Sequence, residues 1–260
     1  MLQFALSRMI GKKRYQRFFE KLYRVSVEGM NYGLGDNIYR DGEIGAIQYV
    51  ASRLEGGKAV VFDVGANKGS YTKELSRFFP NADIYCFEPS QATHAILESN
   101  VGNLPGVHCC NFGFGKETSE VELYSDAEGS GIASVYDRRL SHFGIALEAK
   151  EKISIRRIDE FCGSEGIVNI DFLKLDIEGH ELAALEGAGD MLQQKRIRFI
   201  QFEFGGCNID SRTYFQDFWY LLSPNYNINR IVSDGLYPIQ RYSETLEIFR
   251  TINFLAELKQ

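Results

Sequence analysis

The stretch Val60-Val61-Phe62-Asp63-Val64-Gly65-Ala66-Asn67-Lys68-Gly69-Ser70-Tyr71 decides how this sequence folds. Its apolar run ends in a carboxylate at Asp63, passes two glycines four residues apart, and enters a polar helix start. That order reads as a buried strand turning sharply into a helix. Glycine has no side chain to block a ligand and accepts backbone angles that other residues resist, so the turn leaves bare backbone for a ligand to lie against. A carboxylate at the C-terminal end of a strand sits where open α/β sheets place their ligands.

Toward the C-terminus, strand and helix patterns alternate. Strands are predicted at residues 59–64, 83–87, 107–112, 171–175 and 197–204, with helices at 70–79, 91–101 and 179–194. Such alternation specifies a parallel sheet covered by helices on both faces and joined by right-handed crossovers. Residues 115–158 depart from it. They read as short strands at 120–124 and 152–156 around a loop containing Gly129-Ser130-Gly131 and Asp137-Arg138-Arg139. This segment is either a substrate-selecting insert or an excursion at the sheet edge. After residue 213 come a helix to 222, two strands about a turn at Asp234-Gly235, and a last strand near 252–255.

Toward the N-terminus, residues 43–54 read as a helix ended by Gly56-Gly57, after a turn-rich link from Asn31 to Asn37. Residues 1–30 suggest another helix, with Tyr15, Phe18, Phe19 and Leu22 as an apolar stripe and Arg14, Arg17, Lys21 and Arg24 largely off it. The expected division is a basic helical extension at 1–35 and a main domain at 36–260. The extension either packs on the main domain with its basic face in solvent, or meets a partner, an anionic lipid surface or an anionic substrate.

A chain of 260 residues suffices for one well-buried domain with a small appendage. No apolar run approaches the roughly 20 residues needed to span a bilayer. The basic cluster Lys12-Lys13-Arg14 follows the first apolar residues, which is the wrong order for a signal peptide. Five cysteines without Cys-x-x-Cys spacing fit buried free thiols in a cytoplasmic protein, and no metal site is assigned. The net charge of −6 conceals an asymmetry: residues 1–24 are +6 and the remainder −12. So acidic a body disfavours extended contact with nucleic acid phosphates.

Three places carry chemistry. Asn67 stands where the dinucleotide fingerprint Gly-x-Gly-x-x-Gly has its second glycine, which turns the loop from pyrophosphate toward a nucleoside. Glu88, followed by Pro89, ends the second predicted strand 19 residues after Gly69. An acid about 20 residues past a glycine loop accepts hydrogen bonds from ribose hydroxyls. Asp176 ends the fourth strand and is followed by Glu178 and Gly179. Glu178 and Glu181 suit a helix start, whereas Asp176 belongs to the strand tip beside the expected crevice. Lys174, inside that strand, is expected to pair with a neighbouring acid.

The segments VFDVGANKGSYT, CFEPS, NFGFG, IDFLKLDIEGHELAALEGA and the late NFLA resemble the FkbM family of S-adenosylmethionine-dependent methyltransferases over roughly residues 40–256. The resemblance implies an α/β, Rossmann-like class I methyltransferase fold: a seven-stranded, mostly parallel sheet with helices on both faces and an antiparallel last strand. It implies S-adenosyl-L-methionine as cofactor, with Asp63, Gly65, Ala66, Asn67 and Gly69 around the methionine part. Glu88 and Pro89 would stand at the ribose, Asn111, Phe112 and Gly113 near the adenine, and Asp176 near the sulfonium.

The implied reaction is O-methylation of a sugar, glycan precursor or natural product. In-line methyl transfer chiefly requires collinear positioning, and an alcohol benefits from a nearby base. Asp176, His180 and Glu178 are the first base candidates, with Glu203 and His142 behind them. Asp176 with Glu203 is an alternative setting for a hydrated cation. Arg138, Arg139 and the basic helix are expected to meet an anionic group such as a nucleotide-sugar diphosphate. The expected partner is therefore a small-molecule or saccharide acceptor, with self-association open. The competing readings are a nucleic acid or protein methyltransferase and a non-catalytic module of the same fold.

Overall fold

A strand buried on both faces is apolar nearly throughout, and β1 (Val60–Val64) meets that condition, with its last four residues buried. The computed structural model describes residues 9–33, 38–54 and 58–260; residues 1–8 of the expected N-terminal helix, residues 34–37 of the link expected from Asn31 to Asn37, and the helix stop at Gly56-Gly57 lie outside them. Helices α1 (Gln16–Gly29) and α2 (Glu43–Arg53) precede β1. Next come α3 (Ser70–Phe78), β2 (Asp83–Phe87), α4 (Gln91–Val101), β3 (Val107–Cys110), β4 (Gly113–Phe114), β5 (Ser119–Ser125), β6 (Ala149–Arg156) and α5 (Ile158–Glu165). The chain continues through β7 (Ile170–Leu175), α6 (Glu181–Glu186), α7 (Gly189–Gln193), β8 (Ile197–Phe204), α8 (Cys207–Ser211), α9 (Phe215–Leu222), β9 (Tyr226–Val232), β10 (Gly235–Pro238) and β11 (Ile252–Leu258).

The main sheet has the order β10-β9-β11-β8-β7-β1-β2-β3. From β3 to β8 all neighbours are parallel, while β11 runs antiparallel to both β8 and β9. The last strand is thus antiparallel, as expected, but the main sheet has eight strands among the described residues rather than seven. The eighth arises at Asp234-Gly235, where the chain folds back and pairs β10 with β9 along the sheet edge. From β1 the chain winds outward to β2 and β3, then returns to β7 and β8 on the other side. The C-terminal ends of β1 and β7 therefore meet at a topological switch point, where open α/β sheets form their ligand crevice.

Strand alternation divides the core. Val61, Ile84, Phe172, Phe199 and Leu255 pack with Ile47, Val50, Tyr71 and Leu75 from α2 and α3. Phe62, Phe87, Leu173, Phe202 and Phe254 face the opposite way, against Phe114, Phe161, Phe215 and Phe218. Phe62 is an aromatic hub, with ring centroids 5.1 Å from Phe87, 5.8 Å from Phe161 and 6.2 Å from Phe114.

Two sequence expectations change. Strand β3 stops at Cys110 because the chain leaves the main sheet to start β4, which joins β6 and β5 in a separate three-stranded sheet. The single helix expected at 179–194 is two, α6 and α7, interrupted at Gly187-Ala188. Gly115 passes so close that a Cβ on Gly187 would lie 2.1 Å from its carbonyl oxygen. The Asp159 carboxylate accepts the backbone N–H groups of Asp190 and Met191, restarting the helix. Helix α5, which supplies Asp159, was not foreseen.

Truncating Phe62 to alanine is expected to cost about 3–5 kcal/mol, the usual range for a buried aromatic. Urea unfolding measures this; a loss below about 1 kcal/mol would contradict the hub's place in the core.

Candidate active site

The turn after β1 is held by its own backbone. The N–H groups of Gly65 and Ala66 both donate to Phe87 O at 3.0 Å. Gly65 has φ +83°, and a Cβ there would fall 1.8 Å from Asp176 O, so only glycine permits this approach of the β1 and β7 ends. Asn67 also adopts a left-handed conformation (φ +46°), which asparagine tolerates better than most residues. Its N–H donates to Glu88 Oε2 at 3.1 Å, while Glu88 Oε1 accepts from Ser90 N at 3.0 Å. Burial pushes the Glu88 carboxyl up to about 7 even against these two donors.

Beneath the crevice, register aligns a polar row across the sheet. Asp63 is opposite Lys174, and Lys174 is opposite Gln201. All three are buried. Lys174 Nζ lies 2.9 Å from Asp176 Oδ2 and 3.8 Å from Asp63 Oδ1, and 4.5 Å from the centre of the Tyr71 ring. Burial alone would lower the lysine, but Asp176, Asp63 and Glu43 together hold it above its ordinary value. Asp63 Oδ2 also accepts from the Thr72 hydroxyl at 2.7 Å. Gln201 accepts from the Tyr71 hydroxyl at 2.8 Å and donates to Glu43 at 2.7 Å. The expected ion pair of Lys174 is present, with two acids.

The loop from Asp176 to His180 is clamped from two sides. Glu181 Oε1 accepts the N–H groups of Ile177 and Gly179 at 2.9 and 3.2 Å. Across the crevice, Ser134 Oγ donates to Glu178 O at 2.8 Å, Arg138 pairs with the Glu178 carboxylate, and the Tyr136 hydroxyl lies 3.0 Å from His180 Nδ1. Burial raises the Glu178 carboxyl and Arg138 opposes that rise. Burial lowers the His180 imidazole to about 4, so it is neutral at physiological pH. The same segment reaches the glycine turn, where Asn67 Nδ2 donates to Ser130 O at 2.9 Å. Residues 130–138 thus form a strap between the β1 turn and the β7 turn.

The resulting crevice encloses about 800 Å³. Gly65, Asn67, Glu88, Pro89, Gly113, Asp176, Glu178 and His180 line it together. The other expected residues support it from behind. Asp63 is fully buried on the Lys174 side. Ala66 packs with Cys86, Leu97 and Val101, and Gly69 faces Leu97 and Val101. Asn111 Nδ2 donates to the carbonyls of Glu88 and Pro89. Phe112 belongs to the aromatic cluster around Phe87. Of the three acids expected to rim the crevice, Glu88 alone faces it without a lysine or arginine partner among the described residues.

Arg138 is also repositioned: it is mostly buried and committed to Glu178 rather than free for an anionic substrate. Glu203 groups with Glu178 and Cys207, their ligand atoms within 4.8 Å, rather than with Asp176 alone. Arg138 already compensates Glu178 in that group. His142 sits on a short turn outside the crevice lining. Sequence reading missed Ser134, Tyr136 and the apolar wall of Leu123, Ile153 and Ile155. The alternation of Val121 with Leu123 and of Ile153 with Ile155 was the available signal for that wall.

The sequence pattern of the family described as "Methyltransferase FkbM domain" matches residues 63–227. A curated relative, the 2-O-methyltransferase NoeI of Sinorhizobium fredii, is 23% identical over 163 residues, covering 59% of this chain and 67% of that protein. The hexuronic acid methyltransferase AglP of Haloferax volcanii is 28% identical over 149 residues, covering 56% of each. Among solved structures, a precorrin-6y C5,15-methyltransferase from Geobacter metallireducens aligns over 84% of this chain and 88% of its own, at 12% identity and a TM-score of 0.42.

Replacing Lys174 by methionine is expected to cost about 3–5 kcal/mol at pH 7, since it strands buried carboxylates without their cation. Adding Asp63→Asn should recover part of the loss. Urea melts of the single and double variants test this; additive losses in the double variant would contradict the shared ion pair.

Proposed function

The chain belongs to the methyltransferases with an FkbM domain, and from that premise we propose that it methylates a hydroxyl of a sugar, glycan precursor or related natural product, using S-adenosylmethionine held in this crevice. The observation that carries the cofactor assignment is Glu88. Each of its oxygens accepts one backbone N–H. A carboxylate has about four acceptor sites, which leaves capacity for the two hydroxyls of a ribose on the crevice side. The bare backbone at Gly65 and the apolar wall of Ile153 and Ile155 are compatible with a nucleoside alongside. The acceptor class is supported by the relatives, one named for 2-O-methylation and one for hexuronic acid methylation.

Bound S-adenosylmethionine supplies an electrophilic methyl group on a sulfonium. The chain contributes positioning and a proton acceptor. Lys174 holds Asp176 at the β7 tip, and Arg138 with Ser134 holds Glu178. The neutral His180 imidazole lines the crevice and takes the hydroxyl proton. Its low basicity suffices because an alcohol oxygen becomes strongly acidic as it bonds to the methyl group. Asp176 and Glu178 orient the acceptor hydroxyl.

Four measurements follow. Saturating S-adenosylhomocysteine, at about 100 times its Kd, should raise Tm by about 5 °C while NAD leaves it unchanged; no shift with S-adenosylhomocysteine would contradict cofactor binding. Hydroxyl donors favour ionised Glu88, so binding should expel a proton below pH 7 and tighten about tenfold from pH 6 to pH 8 before levelling. In the ligand-free fold the sign is reversed: the raised carboxyl contributes stability that is full below about pH 4.5 and lost as pH climbs through about 7. Calorimetry should find that Glu88→Gln weakens binding and abolishes its pH dependence; an unchanged pH profile would exclude Glu88.

With labelled cofactor and a panel of hydroxylated saccharides, label should enter a hydroxyl. Transfer only to nucleic acid or protein would overturn the acceptor class. On the acceptor so found, His180→Ala should lower kcat about 100-fold with little change in S-adenosylhomocysteine affinity. An unchanged kcat would remove His180 from the reaction.

A further inference from the structure

Helix α1 carries more apolar surface than the fold covers. At about 100° per residue, Phe18, Phe19, Leu22, Tyr23 and Val25 fall on one broad side, and Arg17, Lys21 and Arg24 on the other. Val27 is the helix's only buried residue, and it joins the main core. The segment just beyond is fixed to the body: Tyr32 is fully buried, and Asn31 Nδ2 donates to Asp41 O and Ile231 O at 2.8 and 3.1 Å. The earlier turns stand clear, leaving Phe18, Leu22, Tyr23 and Val25 44% to 58% exposed. Lys12, Lys13 and Arg14 precede them. A broad, exposed apolar face of this kind marks an interaction surface.

We propose that α1 docks the protein on an anionic lipid bilayer, with its apolar side in the headgroup–acyl boundary and its cations among the headgroups. Charge selects this occupant over a second copy of the chain. Residues 1–24 are +6 and the remainder −12. An anionic surface attracts the helix and repels the body, which orients the helix inward and the crevice-bearing domain outward. Two copies paired through α1 would instead bring two cationic segments together. The helix spans about 21 Å at 1.5 Å per residue, and no helix among the described residues is long and apolar enough to cross a membrane. It therefore lies in the plane of the surface. This inference is independent of the acceptor assignment.

The test is co-sedimentation of the full chain with vesicles of phosphatidylcholine alone or mixed with phosphatidylglycerol. Binding is expected at least about tenfold tighter to the mixed vesicles and weaker in high salt. Leu22→Glu with Tyr23→Glu should abolish it, and Lys21→Glu with Arg24→Glu should weaken it about tenfold or more. All four substitutions lie outside the crevice, so each variant's thermal shift with S-adenosylhomocysteine should match the parent and exclude misfolding. Equal binding to both vesicle types, or none, overturns the proposal. So does a dimer in sedimentation velocity that Leu22→Glu dissolves, which would make a second copy the occupant.

Discussion

Lys174 is a full charge in the middle of a sheet, and the site depends on how that charge is compensated. A lone ammonium there would carry a desolvation cost of several kcal/mol. Register supplies the answer: Asp63 lies directly opposite on β1, and Asp176 follows two residues along on the same side of β7. The pairing ties together the ends of the two strands that flank the switch point. Tyr71, Gln201 and Glu43 extend it into the covering helices. Asp63 is accordingly a structural carboxylate. It keeps the crevice floor assembled, and Glu88 faces the ligand space.

The strap is the second constraint. Ser130 joins the glycine turn, while Ser134, Tyr136 and Arg138 join the turn that carries Glu178 and His180. The segment that closes the crevice thus also fixes the residues proposed to handle the acceptor. Glu178 sits at φ +52°, a conformation that costs a non-glycine residue energy, and the Arg138 and Ser134 contacts hold it there. The β1 turn and the β7 turn share this strap, so a change in residues 130–138 acts on both.

Much of this was legible in the sequence because it rests on local periodicity. Continuous apolar runs marked the buried parallel strands, and carboxylates at their tips marked the crevice. Glu88, Asp176, Glu178 and His180 do come together there. Side-chain direction was harder to read. Asp63 and Asp176 look alike as strand-end acids, and both lie on the Lys174 side, yet Asp63 sits inside β1 and is fully buried whereas Asp176 stands past the end of β7 in the crevice lining. Arg138 looked available to a substrate because no local pattern reveals a partner 40 residues away. The break between α6 and α7 was equally hidden, since the groups that bond the backbone there, the Asp159 N–H to Gly187 O and the Asp159 carboxylate to Asp190 and Met191, come from α5. These misses share a cause: long-range packing overrides local pattern.

In the proposed function, Glu88 and the glycine turn hold the nucleoside of S-adenosylmethionine while Asp176 and His180 face the transferred methyl group. A crystal structure of the full chain with S-adenosylhomocysteine tests it most directly. Both ribose hydroxyls are expected within hydrogen-bonding distance of the Glu88 carboxylate, with the sulfur toward Asp176 and the strap closed over the ligand. A ligand bound elsewhere, or one whose ribose lies away from Glu88, would contradict it.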